Sequence, residues 1–206
     1  GVRPHPRQPI RKRRNPLASH PWLESYDPGV PRTLDYPETD VYSFAAGPAG
    51  QRADQTAVLF MGKRITYGGL FAQVERLAGA LAARGVAAGD RVVLLLPNCP
   101  QFIIAYYALM RLGAVAVLAN PLNVERELLF KFQDSGAKAV IALDLLSRRV
   151  NNIKGELDLE LIVFTSLADY QPLPLSLLYP LKRSLDKNMP KVEIEADGRT
   201  EGFKEL

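Results

Sequence analysis

The sequence is poor in the residues that carry most nucleophilic and metal-dependent chemistry. It contains one cysteine, Cys99, and two histidines, His5 and His20, among 206 residues. A single cysteine excludes an internal disulfide and favours a reducing compartment, so we expect a cytoplasmic protein. Both histidines lie in a basic N-terminal stretch and offer Cys99 no catalytic partner. We therefore interpret Cys99 as a buried structural thiol.

Phosphate-binding and metal-binding motifs are also missing. The sequence has no GxGxxG after an apolar run, no GxxxxGK[ST], and no His/Cys pairs at metal-ligand spacing. We find no Ser-His-acid set. Asp90 and Asp134 are single acids near glycines, a pattern typical of turns and caps. Taken alone, the residues indicate a domain without a recognisable catalytic or metal site.

The N-terminal tail lacks acidic residues although it is rich in basic ones. The chain has a net charge of +4, yet residues 1–20 hold six basic residues and no acid: Arg3, Arg7, Arg11, Lys12, Arg13 and Arg14. The remainder is therefore slightly acidic. Such a run could bind nucleic acid or anionic lipid, but we interpret residues 1–20 as a flexible, solvated tail and do not expect a nucleic-acid partner.

The centre of the chain predicts a strand-helix-strand unit. Residues 92–96 form an apolar run too uniform for a half-exposed strand and too short for a helix. A helical period follows through Tyr107 and Met110 and stops at Gly113, and a second apolar run covers 115–119. Although residues 102–122 approach the length of a membrane span, we reject that interpretation because Gly113 divides them where the period changes.

The flanking segments extend this pattern into an α/β fold with a mostly parallel sheet of about four strands and helices on both faces. Residues 57–61 and 64–66 predict a hairpin turning around Gly62 and Lys63. Residues 67–84 predict a helix that buries Leu70, Val74, Leu77 and Leu81, with Thr66 as its cap and Gly85 as its stop. Further segments complete the prediction: an extended strap over the core at 21–44, a helix at 124–135 capped by Asn123, strands at 139–143 and 161–165, and a short helix at 144–150 between them.

The end of the chain has a different character. Residues 167–192 are rich in proline and leucine and continue into Lys182 and Arg183. Either this segment lies in a membrane interface through Leu173, Leu177, Leu178 and Leu181, or it is a loop whose leucines dock on the rest of a larger enzyme. Residues 192–206 are polar, and 203–206 look like the start of a helix.

Four stretches give the chain a family resemblance: KRITYGGL, GDRVVLLLPNCPQF, RLGAVAVLANPLNVEREL and DSGAKAVIA. In order and spacing they resemble the N-terminal part of bacterial long-chain fatty acid:CoA ligases, which are adenylate-forming, AMP-binding enzymes. The resemblance implies ATP-dependent activation of a fatty acid to an acyl-adenylate, followed by thioester formation with CoA. It also implies ATP, Mg²⁺ and CoA as cofactors of the whole enzyme.

The same resemblance implies that the phosphate loop follows a segment like GFKEL. We therefore expect residues 21–206 to be a truncated N-terminal subdomain that holds no catalytic residue, binds no cofactor and is inactive alone. A medium-chain or aryl acid:CoA ligase, or a free-standing protein-interaction module, is the alternative. A homodimer and peripheral attachment to the inner membrane are left open.

One loop is the candidate site. Asn120, Pro121, Leu122 and Asn123 follow a predicted strand, where parallel sheets bind ligands. In related CoA ligases the corresponding loop lies near the pantetheine channel, so the resemblance implies a substrate or CoA channel here, with Arg126 orienting the loop. The alternative is a packing turn in which Asn123 only caps the next helix.

Overall fold

The computed structural model describes residues 20–186, 189–195 and 197–206. The chain divides into two units, residues 1–38 and 39–206. Apart from His20, the predicted basic tail lies outside the described residues. In the first unit a 3₁₀ helix, Pro21–Ser25, precedes irregular, exposed chain, and the rings of His20 and Trp22 stack with centroids 4.8 Å apart. The strap over the core stays a prediction, except that its last residues, 41–44, are helical and not extended.

A two-stranded antiparallel hairpin lies near the start of the second unit, as predicted. Strand β1 (Thr56–Phe60) pairs with β2 (Lys63–Thr66). The turn residues are Met61 and Gly62, both with positive φ (49° and 86°), one position earlier than the sequence suggests. Two such residues in a row match the right-handed twist of the flanking strands.

The core of the second unit is a five-stranded parallel sheet in the order β4-β3-β5-β6-β7. Every residue of β5 and β6, and all of β3 except its first, is buried, so the uniform apolar runs reflect strands covered on both faces. The predicted α/β fold is confirmed. The strands are β3 (Arg91–Leu95), β4 (Val115–Leu118), β5 (Ala139–Leu143), β6 (Leu161–Thr165) and β7 (Thr200–Gly202).

The helices cover the two faces of this sheet. Helices α2 and α3 pack on each other on one face, and α4 packs on α5 on the other. The capping of α2 is as predicted, since the Thr66 hydroxyl accepts from the Gly69 amide at 3.1 Å. The helices are α1 (Val41–Gly50), α2 (Tyr67–Ala83), α3 (Pro100–Leu112), α4 (Glu125–Ser135), α5 (Ser147–Ile153) and α6 (Leu175–Leu185).

The last third of the chain differs from the prediction in three places. The sheet has a fifth strand, β7, and residues 203–206 form a turn after it rather than a helix. Strand β7 was not predicted because its sequence is polar. Its extended conformation is held by backbone pairing with β6 and not by burial of alternate side chains. The predicted helix at 144–150 is a 3₁₀ turn, Asp144–Leu146, followed by α5.

The proline- and leucine-rich segment is helical where a loop was the alternative. Helix α6 occupies less than half of it, Leu175–Leu185, and the side chains of Leu173, Leu177 and Leu178 are exposed. The side chain of Leu181 lies outside the described part of the structure. Residues 102–122 divide at Gly113 into α3 and β4, as predicted. Within the described ranges, none of the helices combines the length and apolar character that a bilayer crossing needs.

Gly113 offers a test of this division. It ends α3 with φ = 70°, and an added Cβ would lie 3.3 Å from the Ala88 Cβ. We expect Gly113→Ala to lower the free energy of unfolding by about 1–2 kcal/mol, because an L-residue is disfavoured in the left-handed region. Urea denaturation at 25 °C measures this change.

The matched control is Gly79→Ala. Gly79 lies inside α2 and no atom lies within 4 Å of its added Cβ. Alanine there should raise stability by about 0.5–1 kcal/mol through helix propensity. Equal effects of the two substitutions would show that the backbone at Gly113 is not held in the left-handed conformation.

Candidate functional site

The predicted site loop borders a crevice at the carboxyl ends of β3 and β4. The crevice has a volume of about 600 Å³, and the loop contributes Asn120, Pro121 and Leu122 to its wall. Its other apolar side chains come from the end of β3 and from α3, and include Leu96, Pro97 and Phe102. This volume lies within the range of about 300–1,000 Å³ that is usual for small-molecule sites.

Hydrogen bonds inside the loop fix its path. The Asn120 side-chain carbonyl accepts from the Leu122 amide at 2.9 Å, which makes an Asx turn directly after β4. The Asn123 side-chain carbonyl accepts from the Asn120 amide at 3.2 Å and closes the loop from the other side. The backbone of the loop is therefore held independently of any ligand.

A distant arginine clamps the same loop. Arg149, on α5, donates from Nη1 to the carbonyl oxygens of Pro121 and Asn123, both at 2.9 Å. The predicted orienting residue, Arg126, is exposed, and its side chain makes no hydrogen bond or ion pair among the described residues. Arg149 performs that task instead. The sequence carries no signal for this contact, because Arg149 follows the two loop residues by 28 and 26 positions and β5 lies between them in the sequence.

The predicted cap of α4 is also wrong. Val124, not Asn123, is the N-cap residue, and the Glu127 carboxylate accepts from its amide at 3.2 Å. Asn123 supports that carboxylate from outside by donating from Nδ2 at 2.8 Å. The hydrogen bonds that Asn123 and the Val124 amide donate to this carboxylate hold the pKa of Glu127 below its usual value. Asn123 thus belongs to both the loop and the helix start.

The chemistry of the crevice wall is that of a binding surface. Its polar groups are the Asn98 and Asn120 amides and the Lys131 ammonium, which donates to the Leu118 carbonyl at 3.2 Å. Neither a carboxylate nor a histidine is among the side chains that line the crevice. Cys99, next to Asn98 in the sequence, is buried as predicted, and burial raises the pKa of its thiol. The wall can hold a ligand, and Lys131 is the one titratable side chain among the residues that line it.

A second polar cluster lies under the carboxyl ends of the strands and was not predicted. Gln101 is fully buried and donates to the Thr165 hydroxyl at 3.1 Å and to the Ser166 carbonyl at 2.8 Å. Thr165 in turn donates to Asp169 at 3.0 Å, and Lys204 pairs with the same carboxylate at 3.2 Å. The sequence signal for this cluster was a glutamine on the apolar side of α3, directly after Pro100, the first residue of that helix. This cluster ties α3 to β6.

Metal ligands are not gathered anywhere in the part of the chain that the structure describes. No group of three or more His, Cys, Asp or Glu side chains there could hold a metal ion. Asp90, one of the two acids considered in the sequence, accepts from the Ala87 amide at 2.8 Å and pairs with Lys138 at 3.0 Å. It therefore serves a turn.

Comparison with known proteins identifies the family. The model of the AMP-binding enzyme family matches residues 46–196, which is most of the chain. The chain belongs to the AMP-binding enzyme family. This match covers the hairpin, the first four strands of the parallel sheet and the crevice.

Relatives within the AMP-binding family agree on the fold and differ in the acids in their names. The long-chain-fatty-acid–CoA ligase of Bacillus subtilis is 36% identical over 177 residues, covering 86% of this chain and 31% of that protein. An acetoacetyl-CoA synthetase structure from Streptomyces lividans aligns with a TM-score of 0.64 and 25% identity, over 81% of this chain and 24% of that one. A benzoate CoA ligase structure from Burkholderia xenovorans aligns with a TM-score of 0.59 and 25% identity, over 61% and 26%. The chain thus spans about a third of the length of the curated relative.

The clamp on the loop can be tested by removing the guanidinium. Arg149→Ala should lower the free energy of unfolding by about 1–3 kcal/mol, because two loop carbonyls lose a charged donor. Amide hydrogen exchange at residues 120–124 should become faster by more than the change in global stability accounts for. The neighbouring Arg148→Ala is the control, since Arg148 is exposed and outside the loop contacts. Equal exchange in both variants would contradict the clamp.

Proposed function

We propose that this chain is the N-terminal part of an ATP-dependent fatty acid:CoA ligase with a preference for long chains. In that reaction the fatty acid is joined to AMP with release of pyrophosphate, and the acyl group then passes to the thiol of CoA with release of AMP. The observation that carries the proposal is the 36% identity to a long-chain-fatty-acid–CoA ligase over 86% of the chain. Fatty acid, CoA, ATP and Mg²⁺ are the proposed partners of the whole protein.

The residues described do not themselves fit ATP with Mg²⁺. Triphosphate activation needs several backbone donors, a cation and a metal site converging on the phosphates. The pair Gly68 and Gly69 opens α2, where an added Cβ at Gly68 would lie 3.2 Å from the Ala53 carbonyl oxygen. That backbone is closed by protein, not open to a phosphate. We derive no catalytic step on this chain.

The contribution that we propose for this chain is a wall of the CoA channel. The loop Asn120–Asn123 lies at the carboxyl edge of a parallel sheet, where such sheets bind ligands. Its backbone is fixed by Arg149, and the crevice beside it combines apolar side chains with two amides and one ammonium. Amides and apolar surface suit the amide-containing, uncharged arm of CoA. The proposal extends to these four residues: Asn120, Pro121, Leu122 and Asn123.

An aryl acid:CoA ligase is the second candidate. It is favoured by the structural likeness to a benzoate CoA ligase, although that likeness covers only 61% of this chain. Kinetics of the full-length enzyme encoded by the gene distinguish the two candidates. For a long-chain ligase, kcat/KM for palmitate should exceed that for benzoate at least a hundredfold. A ratio near one, or its inverse, would favour the aryl acid. Turnover with neither acid would favour a free-standing interaction module.

The isolated 206-residue chain should be inactive. We expect no pyrophosphate release from ATP, palmitate and CoA, and no micromolar binding of ATP, because the described residues assemble no triphosphate site. Calorimetric titration with ATP and Mg²⁺, alongside a pyrophosphate assay, measures both. A mock preparation from host cells that do not express the chain is the control for contaminating host ligase. Turnover that follows the chain through purification would show that the adenylation site lies within it.

Peripheral membrane contact through α6 is a separate part of the proposal. The exposed Leu173, Leu177 and Leu178 form the apolar group that would enter the interface. The double variant Leu177→Ser/Leu178→Ser should reduce co-sedimentation with anionic vesicles at least fivefold. The control is Leu59→Ser, since Leu59 is equally exposed but lies on the hairpin. Unchanged co-sedimentation of the α6 variant would favour docking of these leucines on protein.

A further inference from the structure

A second pocket lies beneath α1, on the face of the sheet where α2 and α3 pack. Its volume is about 320 Å³, and its floor carries the aromatic rings of Phe71 and Tyr107, whose centroids are 5.7 Å apart. The roof is formed by α1 through Ala45, Pro48 and Ala49. This pocket shares none of its lining residues with the crevice at the ends of β3 and β4.

The composition of α1 explains why the pocket is open. The helix reads VYSFAAGPAG, and three of its four residues that line the pocket, Ala45, Pro48 and Ala49, are small, while the fourth, Phe44, is largely exposed. Gly47, Pro48 and Gly50 also make it a weak helix by intrinsic propensity. Small side chains over two rings leave a space that larger residues at the same positions would fill.

Contacts at both ends of α1 keep this roof in place. At its start, the Tyr42 hydroxyl donates to Glu75, and Arg111 donates to the same carboxylate at 3.1 Å. Beyond its end, the Gly68 amide donates to the Ala53 carbonyl at 2.9 Å. The segment is therefore anchored to α2 and α3 on either side of the pocket and does not depend on filling the space between them.

One cation lies at the rim. Arg52 lines the pocket, is exposed, and its side chain takes part in no ion pair or hydrogen bond among the described residues. No carboxylate is among the lining side chains. An apolar pocket with a single unneutralised guanidinium at its mouth is complementary to an amphiphile with one anionic head, because the chain is removed from water while the head pairs with arginine.

We propose that this pocket binds a free fatty acid, with the alkyl chain over Phe71 and Tyr107 and the carboxylate at Arg52. The site is non-catalytic and separate from the acyl-activation reaction proposed above. Its failure and that of the ligase proposal are distinguishable, because binding is measured on the isolated chain without ATP, CoA or turnover.

Calorimetry with dodecanoate below its micellar concentration tests the site. We expect one saturable site per chain and tighter binding with chain length from octanoate to dodecanoate, by up to about fourfold per methylene buried. Arg52→Gln should weaken binding about five- to tenfold, and Ala45→Phe, which fills the pocket, should weaken it more than twentyfold. Arg148→Gln, an exposed arginine on α5, is the matched control and should bind as the unaltered chain does.

The charge of the head provides an independent test. Dodecyltrimethylammonium has the same chain and the opposite charge, and it should bind at least tenfold more weakly than dodecanoate. Equal affinity for the two amphiphiles, or dodecanoate binding unaffected by Arg52→Gln, would overturn the proposal. Because Arg52 is exposed, this variant is expected to fold, so the proposal stays falsifiable if Ala45→Phe does not.

Self-association is the remaining outcome to separate. If gel filtration with light scattering shows a dimer that Ala45→Phe converts to a monomer, a second copy of the chain occupies the pocket and the fatty acid proposal is wrong. A monomer at all concentrations, together with dodecanoate binding that Arg52→Gln weakens, supports it.

Discussion

The structure depends on burying β3, β5 and β6 on both faces. Strands that are apolar on each side need helices on both faces of the sheet. The chain first runs from β3 to its neighbour β4, and then crosses back past β3 to β5 on the other side. With right-handed crossovers, that reversal places α3 and α4 on opposite faces. It also brings the loops after β3 and β4 together at one edge, which is why the crevice forms there.

Most of this architecture could be predicted, since burial on both faces leaves its own pattern in the sequence. The apolar runs of β5 and β6 match the observed bounds to the residue, and Gly113 marks the end of α3 because a left-handed residue is needed there. Strand β7 could not be predicted in the same way. It is a short edge strand held by backbone bonds to β6, so its polar side chains carry no periodic signal.

The position of the candidate loop in the fold could be predicted from the sequence, but the contacts that hold the loop could not. A loop after a predicted strand lies at the carboxyl edge of a parallel sheet, and Asn120 to Asn123 follow β4 at that edge, although β4 itself is partly exposed. What fixes the loop is Arg149, which donates to backbone carbonyls from 26 and 28 residues away. Contacts between a side chain and a distant backbone carbonyl leave no local pattern. The role of Glu127 at the start of α4 was missed for a different reason: its contact with the Val124 amide is local, but the preceding asparagine looked like the cap.

The crevice and the pocket under α1 form for different reasons. The crevice follows from the strand order, so any chain with this sheet has an edge where a ligand can lie. The pocket under α1 follows from side-chain volume, because small residues of α1, Ala45 and Ala49, lie over the rings of Phe71 and Tyr107. Its free arginine contributes nothing to the core. The apolar space and the exposed arginine beside it together suit the anionic amphiphile proposed above.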